Sequence, residues 1–443
     1  MLPHHFSEKF RSSKRLVQAF ALCSGALVLP SEIYALTVHV FEKIEVRGAE
    51  FIPEDDIQMT CGAVEGVPYL AIELRAIEDC LMSTGVFETV TLIPVDDVLV
   101  ISVQEIDTSP GRFEASLSYD SQDGVVGGVF YEQYNLFPDT YGSVQLSYNS
   151  DVQRATARLF KVDAIGEGIA LGVNVGWEER YFSDRSYASD IQQIETYLAW
   201  TMGQGTDLKM GLGYRNYSLF DVADTAGELV KTEETTGISG PFLHFGLAKT
   251  SLSETQTGWG DWAYGFGMEQ YFWNLGSGET LSDFRFESQS YVPLSSTWRV
   301  LISLDAGAIS GLDGNTTRVL DRTALGANRF RGFAPRGVGP QENGTALGGN
   351  KFAVSSIELQ HNFENTIEAP LTGGLFFESG AAWGLDETLG DTIDDGFYRR
   401  STVGLSLSFD VGTSPVSLYL ATPLSKQNGD EEQVFGINFS SSF

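Results

Sequence analysis

The chain has 443 residues, with 59 acidic against 28 basic side chains and a formal net charge of −31. Binding to nucleic acid needs Lys and Arg clustered on one face; the sequence has no such cluster, and its acid excess reads as solvated, solubilising loops. Forty-eight glycines and 12% aromatic residues, with no long apolar run beyond the N-terminal segment, suit an all-β chain rather than a helical membrane protein.

Residues 1–35 have the pattern of a secretory signal. Lys14 and Arg15 form a basic start, residues 16–29 an apolar core, and Ile33, Tyr34 and Ala35 a cleavage-like site. The core is short for a membrane span. Cys23 follows Leu22, which is too large for a lipoprotein cleavage site. An exported chain meets oxidising conditions, so the remaining cysteines, Cys61 and Cys80, are candidates for a disulfide. Such a bridge would close a loop of about 20 residues and contribute roughly 3 kcal/mol. The alternative is two small buried thiols.

Residues 40–107 read as a compact β-α-α-β-β unit. A strand over residues 43–47 ends at Gly48, and Pro53 opens a helix whose first turn carries Glu54, Asp55 and Asp56, where acids suit the helix dipole. Leu70, Leu74, Ile77 and Leu81 share one face of a second helix, which Gly85 ends. Two strands over residues 87–95 and 98–104 turn at Asp96 and Asp97. Residues 106–110 are a short linker.

From residue 111 the hydrophobic period becomes two. Val144, Leu146 and Tyr148 alternate with Ser143, Gln145 and Ser147. Leu208, Met210, Leu212 and Tyr214 alternate with Lys209, Gly211, Gly213 and Arg215; Val403, Leu405, Leu407 and Phe409 repeat the pattern near the end. A soluble sandwich also alternates. The number of segments, their Trp and Tyr ends and the signal favour a transmembrane antiparallel β-barrel over residues 111–443, of about 16 strands at roughly 20 residues each.

Phe330, Arg331, Gly332 and Phe333, followed by Arg336, Gly337, Val338, Gly339 and Pro340, form the most specific motif. With the N-terminal unit, which resembles a POTRA domain, and the barrel pattern, it makes the chain resemble the BamA/TamA superfamily of outer-membrane insertases and polypeptide transporters. The resemblance implies that a loop near residues 328–342 folds back into the lumen as a lid. Arg331 would then meet Glu358 or Glu378 on inward-facing strands, since a guanidinium in a confined lumen needs a carboxylate partner. Phe435, Ile437, Phe439 and Phe443 lie at even spacing, resembling the C-terminal strand by which outer-membrane barrels are recognised. The first strand (residues 111–119) would close against the last (434–443) at a weak lateral seam, with Gly436 loosening the pairing.

The resemblance implies a factor of the bacterial outer membrane, its N-terminal domain in the periplasm, that inserts and folds barrel clients at the seam. Its partners would be unfolded outer-membrane proteins, the lipid bilayer, and periplasmic chaperones or lipoproteins. The family's general insertases typically carry several POTRA domains, and only one module fits here. A transporter passing one polypeptide through the lumen, or a passive porin or surface antigen, are the alternatives. No enzyme, cofactor or metal is expected. His39, His244 and His361 are far apart in sequence, no nucleophile elbow or phosphate loop has the right context, and acid pairs such as Glu178 with Glu179 and Asp394 with Asp395 read as solvated turns.

Overall fold

The computed structural model describes residues 38–442 apart from 50–51, 106–110, 122, 138, 167, 183–185, 204, 235–236, 253–256, 328, 364–370 and 412–413. The expected signal, the linker and Phe443 therefore lie outside the described residues. The chain divides into two units, Met1–Pro110 and Gly111–Phe443.

The first unit contains β1 (Val38–Val40), β2 (Lys43–Arg47), α1 (Glu54–Thr60), β3 (Pro68–Leu70), α2 (Ala71–Ser83), β4 (Phe87–Val95) and β5 (Val98–Glu105). β2 runs parallel to β5, and β5 antiparallel to β4, giving a sheet of order β2-β5-β4. Apolar residues of the helices (Ile57, Leu74, Ile77, Leu81) pack with Leu99, Ile101 and Val103 in one core. The small pair of β1 with β3 was not legible in the sequence. Leu70 belongs to β3 and caps α2 rather than extending its apolar face, because the Glu73 carboxylate accepts the Leu70 N–H at 2.7 Å. Cys61, just after α1, and Cys80, in the last turn of α2, form a disulfide with their Cα atoms 5.9 Å apart.

The second unit is a closed antiparallel barrel of sixteen strands. In chain order they are β6 (Gly111–Asp120), β7 (Gly124–Phe137), β8 (Thr140–Tyr148), β9 (Val152–Gly166), β10 (Ile169–Tyr181), β11 (Ala188–Met202), β12 (Thr206–Phe220), β13 (Ile238–Thr250), β14 (Ala263–Trp273), β15 (Leu281–Pro293), β16 (Trp298–Gly311), β20 (Lys351–Asn362), β21 (Leu371–Trp383), β22 (Arg400–Val411), β23 (Ser414–Ser425) and β25 (Phe435–Ser442). A short helix α3 (Glu228–Glu234) lies between β12 and β13. The two-residue strands β17 (Gly332–Phe333), β18 (Gln341–Glu342) and β19 (Thr345–Ala346) lie between β16 and β20, and β24 (Glu432–Gln433) precedes β25.

The period-two pattern decides which way each side chain points. Leu212, Ile357, Leu375 and Leu405 face outward and are more than half exposed, whereas Glu358, Glu378 and Thr402 face the lumen and are buried. A belt of apolar side chains this extensive marks a surface made for lipid. Every one of the sixteen barrel strands is paired on both sides, which leaves no edge to desolvate.

Strand alternation defines two rims. The near rim is where β6 begins. Residues 221–237, 312–350, 384–399 and 426–434 connect strands at the far rim. The far-rim connections hold one another. The Glu342 carboxylate accepts the N–H groups of Glu228 and Leu229 at 2.8 and 3.1 Å, satisfying the free donors that begin α3. Asp386 accepts from Thr317 and Asn350, and Arg400 binds Asp430 through two nitrogens.

Candidate functional site

The site is built on a two-by-two square of lumen-facing residues. On β20 these are Ser356 and Glu358. On β21 they are Phe376 and Glu378. The register pairs Ser356 with Glu378 and Glu358 with Phe376, so two carboxylates lie diagonally across one ladder, each beside a neutral neighbour. This spacing keeps like charges from direct opposition.

The 312–350 connection brings Arg331 onto this square. Its guanidinium Nε donates to Glu378 Oε1 at 2.6 Å, and its backbone N–H donates to Glu378 Oε2 at 2.9 Å. Nη1 lies 2.8 Å from Glu358 Oε2. The guanidinium carbon sits 3.4 Å from the Phe376 ring centroid. One cation thus meets two carboxylates and an aromatic face in a confined, largely buried setting, where each contact is stronger than at an exposed surface. The expectation named either glutamate; the structure brings both to the arginine.

Flanking residues explain why the loop turns here. Phe330 and Phe333 are fully buried and pack with Leu325, Val338, Phe352, Val354 and Ala382. Gly332 has φ +97°, and a methyl there would press on Thr402 and Ala421; only glycine allows both the turn and the close approach to the wall. Gly332 and Phe333 pair as β17 with Gln433 and Glu432 of β24. Arg336 takes a left-handed φ of 59°. It donates to the Ala346 carbonyl at 2.7 Å and lies over the rings of Phe182 and Tyr187. Arg331 and Arg336, neighbours in the motif, hold different ground: one the barrel wall, the other the far-rim loops.

Three contributors went unread in the sequence. Phe376 shares the face of Glu378 two residues away, so strand alternation could have found it. Ser406 Oγ donates to Glu358 Oε1 at 2.6 Å from β22, and Gln360 Nε2 donates to the same oxygen at 3.0 Å. Serines are too common in barrels for Ser406 to carry a signal. Gly374 clears the space: a side chain there would collide with the Glu358 carboxylate and Ser406.

The seam lies elsewhere. Among the described residues, β25 pairs with β6 only from Asn438↔Asp120 to Ser442↔Ser116, with one further hydrogen bond from Ile437 N to Ser121 Oγ at 3.3 Å. β11 with β12, by contrast, runs from Ala188↔Phe220 to Met202↔Thr206. Phe439 takes part on both sides, opposite Tyr119 and Val416. Among the described residues, Gly436 lies just beyond the seam ladder. It pairs with Tyr419 of β23, whose ring lies where a side chain at 436 would be. The glycine leaves room for an aromatic ring on the β23 side, and a loosening effect on the seam beside it stays a proposal. Glu178 is corrected: it sits in β10, not a turn, and binds Arg154 and Arg180.

A family model described as the Omp85 superfamily domain matches residues 140–443. Two curated proteins, each an outer membrane protein assembly factor BamA, are similar in sequence. The one from Neorickettsia risticii is 26% identical over 363 residues, covering 76% of this chain and 46% of its own length. The one from Nitratidesulfovibrio vulgaris is 22% identical over 384 residues, covering 82% and 47%. The chain thus spans about half the length of the curated relatives it matches. Among solved structures, BamA from Haemophilus ducreyi lacking POTRA domains 1–3 aligns with a TM-score of 0.76 at 18% identity, covering 91% of this chain and 85% of that one. CdiB from Escherichia coli aligns at 0.52 and 11%, covering 91% and 76%. At these identities the two structures speak for the fold. The closed barrel with its apolar belt is an outer-membrane barrel, and the chain belongs to the Omp85 superfamily.

Proposed function

We propose that this protein assembles outer-membrane proteins, using the junction of β25 and β6 as a lateral gate. The observation that carries this reading is the seam. Its described register runs only from Asn438↔Asp120 to Ser442↔Ser116, as short as that of β25 with β23 and shorter than that of β6 with β7, and the side chains of β6 there include Ser116 and Ser118. Opening it costs few backbone hydrogen bonds, and the freed edges of β6 and β25 offer a client a row of donors and acceptors to pair with. The bilayer supplies the apolar phase into which paired strands move. The two BamA relatives support the reading through their names.

In this reading the first unit is a POTRA-like periplasmic domain. β2 and β4 are the outer strands of its sheet, where an extended client, a chaperone or a lipoprotein partner could add a strand. The Arg331 lock holds the lid in one register against the wall of β20 and β21. No step calls for catalysis, a cofactor or a metal.

A second reading, passage of one polypeptide through the lumen, is favoured by one observation: the lid is a loop, held by ion pairs that can be released. It requires the lid to leave, and it leaves the seam shut. A third reading, a passive pore, gives the Arg331 lock no task. Depletion of the protein in its host, with quantitation of every outer-membrane barrel, separates the three. Broad loss of barrels is expected for a general insertase. Loss of one or a few marks a dedicated factor or transporter, and no loss overturns the assembly reading.

A further inference from the structure

The lumen wall carries a polar chain that leads from the lid lock to the near rim. Glu358 Oε1 accepts from Gln360 Nε2 at 3.0 Å, and Gln360 Oε1 accepts from Arg299 Nε at 2.8 Å. Arg299 Nη1 in turn donates to the backbone carbonyl of Thr257 at 2.8 Å. Its guanidinium is sandwiched between the rings of Trp259, 3.8 Å away, and Tyr291, 4.3 Å away. Thr257 and Trp259 belong to the connection between β13 and β14 at the near rim. Three residues on, Trp262 Nε1 donates to Ser290 Oγ at 2.9 Å and its ring stacks on Tyr264. The loop is therefore tied to the barrel at both points, and the Trp259 tie depends on one arginine.

That arginine sits within reach of the lock. Arg299 is the register partner of Gln360, and Leu301 the partner of Glu358. Arg299 and Glu358 are thus diagonal neighbours on one face, with Cβ atoms about 7–8 Å apart and reachable by a long side chain. With the lid in place, Glu358 already has Arg331 at 2.8 Å, so Arg299 is left to hold Thr257 and the two rings. If Arg331 leaves, Glu358 keeps, among the described residues, the neutral donors Gln360 and Ser406. A lumenal carboxylate stripped of its cation is costly, and Arg299 is the cation that its own ladder provides.

We propose that Arg299 is the reserve counter-ion of Glu358: when the lid withdraws Arg331, Arg299 turns to Glu358 and lets go of Thr257 and Trp259. Lid release toward the far rim then loosens the loop at the near rim. Gln360 is the positioning residue that keeps Arg299 and Glu358 apart in the locked state. In the assembly reading, on which this role rests, the exchange joins events at the two mouths of the barrel.

The test is maleimide labelling of Thr257→Cys in the full-length protein, reconstituted in vesicles, with the parent chain as background. Arg331→Ala is expected to raise the labelling rate by about tenfold, within the range usual for coupling between distant sites. Arg299→Gln should raise it equally, and the double variant no further. Arg331→Lys, which keeps the charge, should label like the parent. Gln360→Leu, which leaves Arg331, Glu358 and Glu378 in place, should raise the rate and so serves if Arg331→Ala fails to fold. A parent-like rate in Arg331→Ala beside a raised rate in Arg299→Gln overturns the proposal, as does an unchanged rate in Arg299→Gln. Client insertion is measured in the same vesicles: its absence from the parent protein overturns the assembly reading and leaves the labelling result standing.

Discussion

The wall under the lid and the seam belong to one sheet, yet they are closed in opposite ways. β20 and β21 stay in register from Lys351↔Trp383 to Asn362↔Thr372. Arg331 adds a charge-paired lock on their lumenal face. β25 and β6 share only the stretch from Asn438↔Asp120 to Ser442↔Ser116 among the described residues, and no ion pair between the two strands is found there. A barrel closed by backbone bonds alone needs long ladders. Here charge pairing is added at β20 and β21, so that opening between β25 and β6, three strands beyond β21, need not break the Arg331 ion pairs.

The largest effect expected from breaking this contrast is a covalent seam. Leu117 is the register partner of Ser441, so Leu117→Cys with Ser441→Cys should cross-link on oxidation. Client insertion is expected to stop and to return with reductant; insertion that continues through a bridged seam would sink the lateral-gate reading. Next is the wall. Arg331→Ala strands two lumenal carboxylates, and breaking a buried pair in this way typically costs about 3–5 kcal/mol. The temperature at which the barrel loses its folded gel mobility should fall, with Glu358→Gln falling less because Glu378 keeps the arginine.

A smaller effect sharpens the role of Gly436. Gly436→Ala drives a methyl into the Tyr419 ring, and overpacking of this kind costs about 1–3 kcal/mol. Gly436→Ala with Tyr419→Ala should recover part of that loss. Recovery, read from thermal melts of the barrel, would separate aromatic seating from a direct effect on the seam; a double variant no more stable than Gly436→Ala goes against the seating role.

The smallest effect is expected at the far rim. Burial pushes the Glu233 carboxyl up from its usual value, Arg322 nearby lowering it only in part. A folded value above the unfolded one means that this group favours the fold most at low pH, below the unfolded value. The contribution is lost as pH rises through the raised value. Resistance of the far-rim loops to protease should therefore fall as pH rises through that range. Glu233→Gln should flatten the profile; an unchanged profile would show that another group governs it.

Much of this molecule was legible because strand alternation is strict. Leu146, Leu212 and Leu405 could be assigned to the lipid face from period two alone, and the lid motif singled out Arg331 before any contact was visible. Glu358 and Glu378 could be named only because their strands resemble those that carry an inward acid in the BamA/TamA superfamily; acids on barrel strands are otherwise common here, as buried Glu132, Glu195 and Asp283 show. Phe376, Ser406 and Gln360 were missed because their residue types are ordinary in barrels. Register across β20, β21 and β22 brings Phe376 under the guanidinium and Ser406 to Glu358, which Gln360 reaches along its own strand. Gly436 was read for what it lacks; its cross-strand partner Tyr419, whose ring occupies the space of a side chain at 436, was not legible in the sequence.

The sequence by itself determined the class of architecture: side-chain period, glycine turns and a single conspicuous arginine motif are local properties, written residue by residue. The tertiary structure alone decided the rest: that Arg331 takes both glutamates, that Arg299 lies one ladder step from Glu358, and that Gly436 turns toward β23. These are consequences of register, in which a shift of one residue turns every side chain to the other face. Register is set by the whole closed sheet, not by any one of its strands.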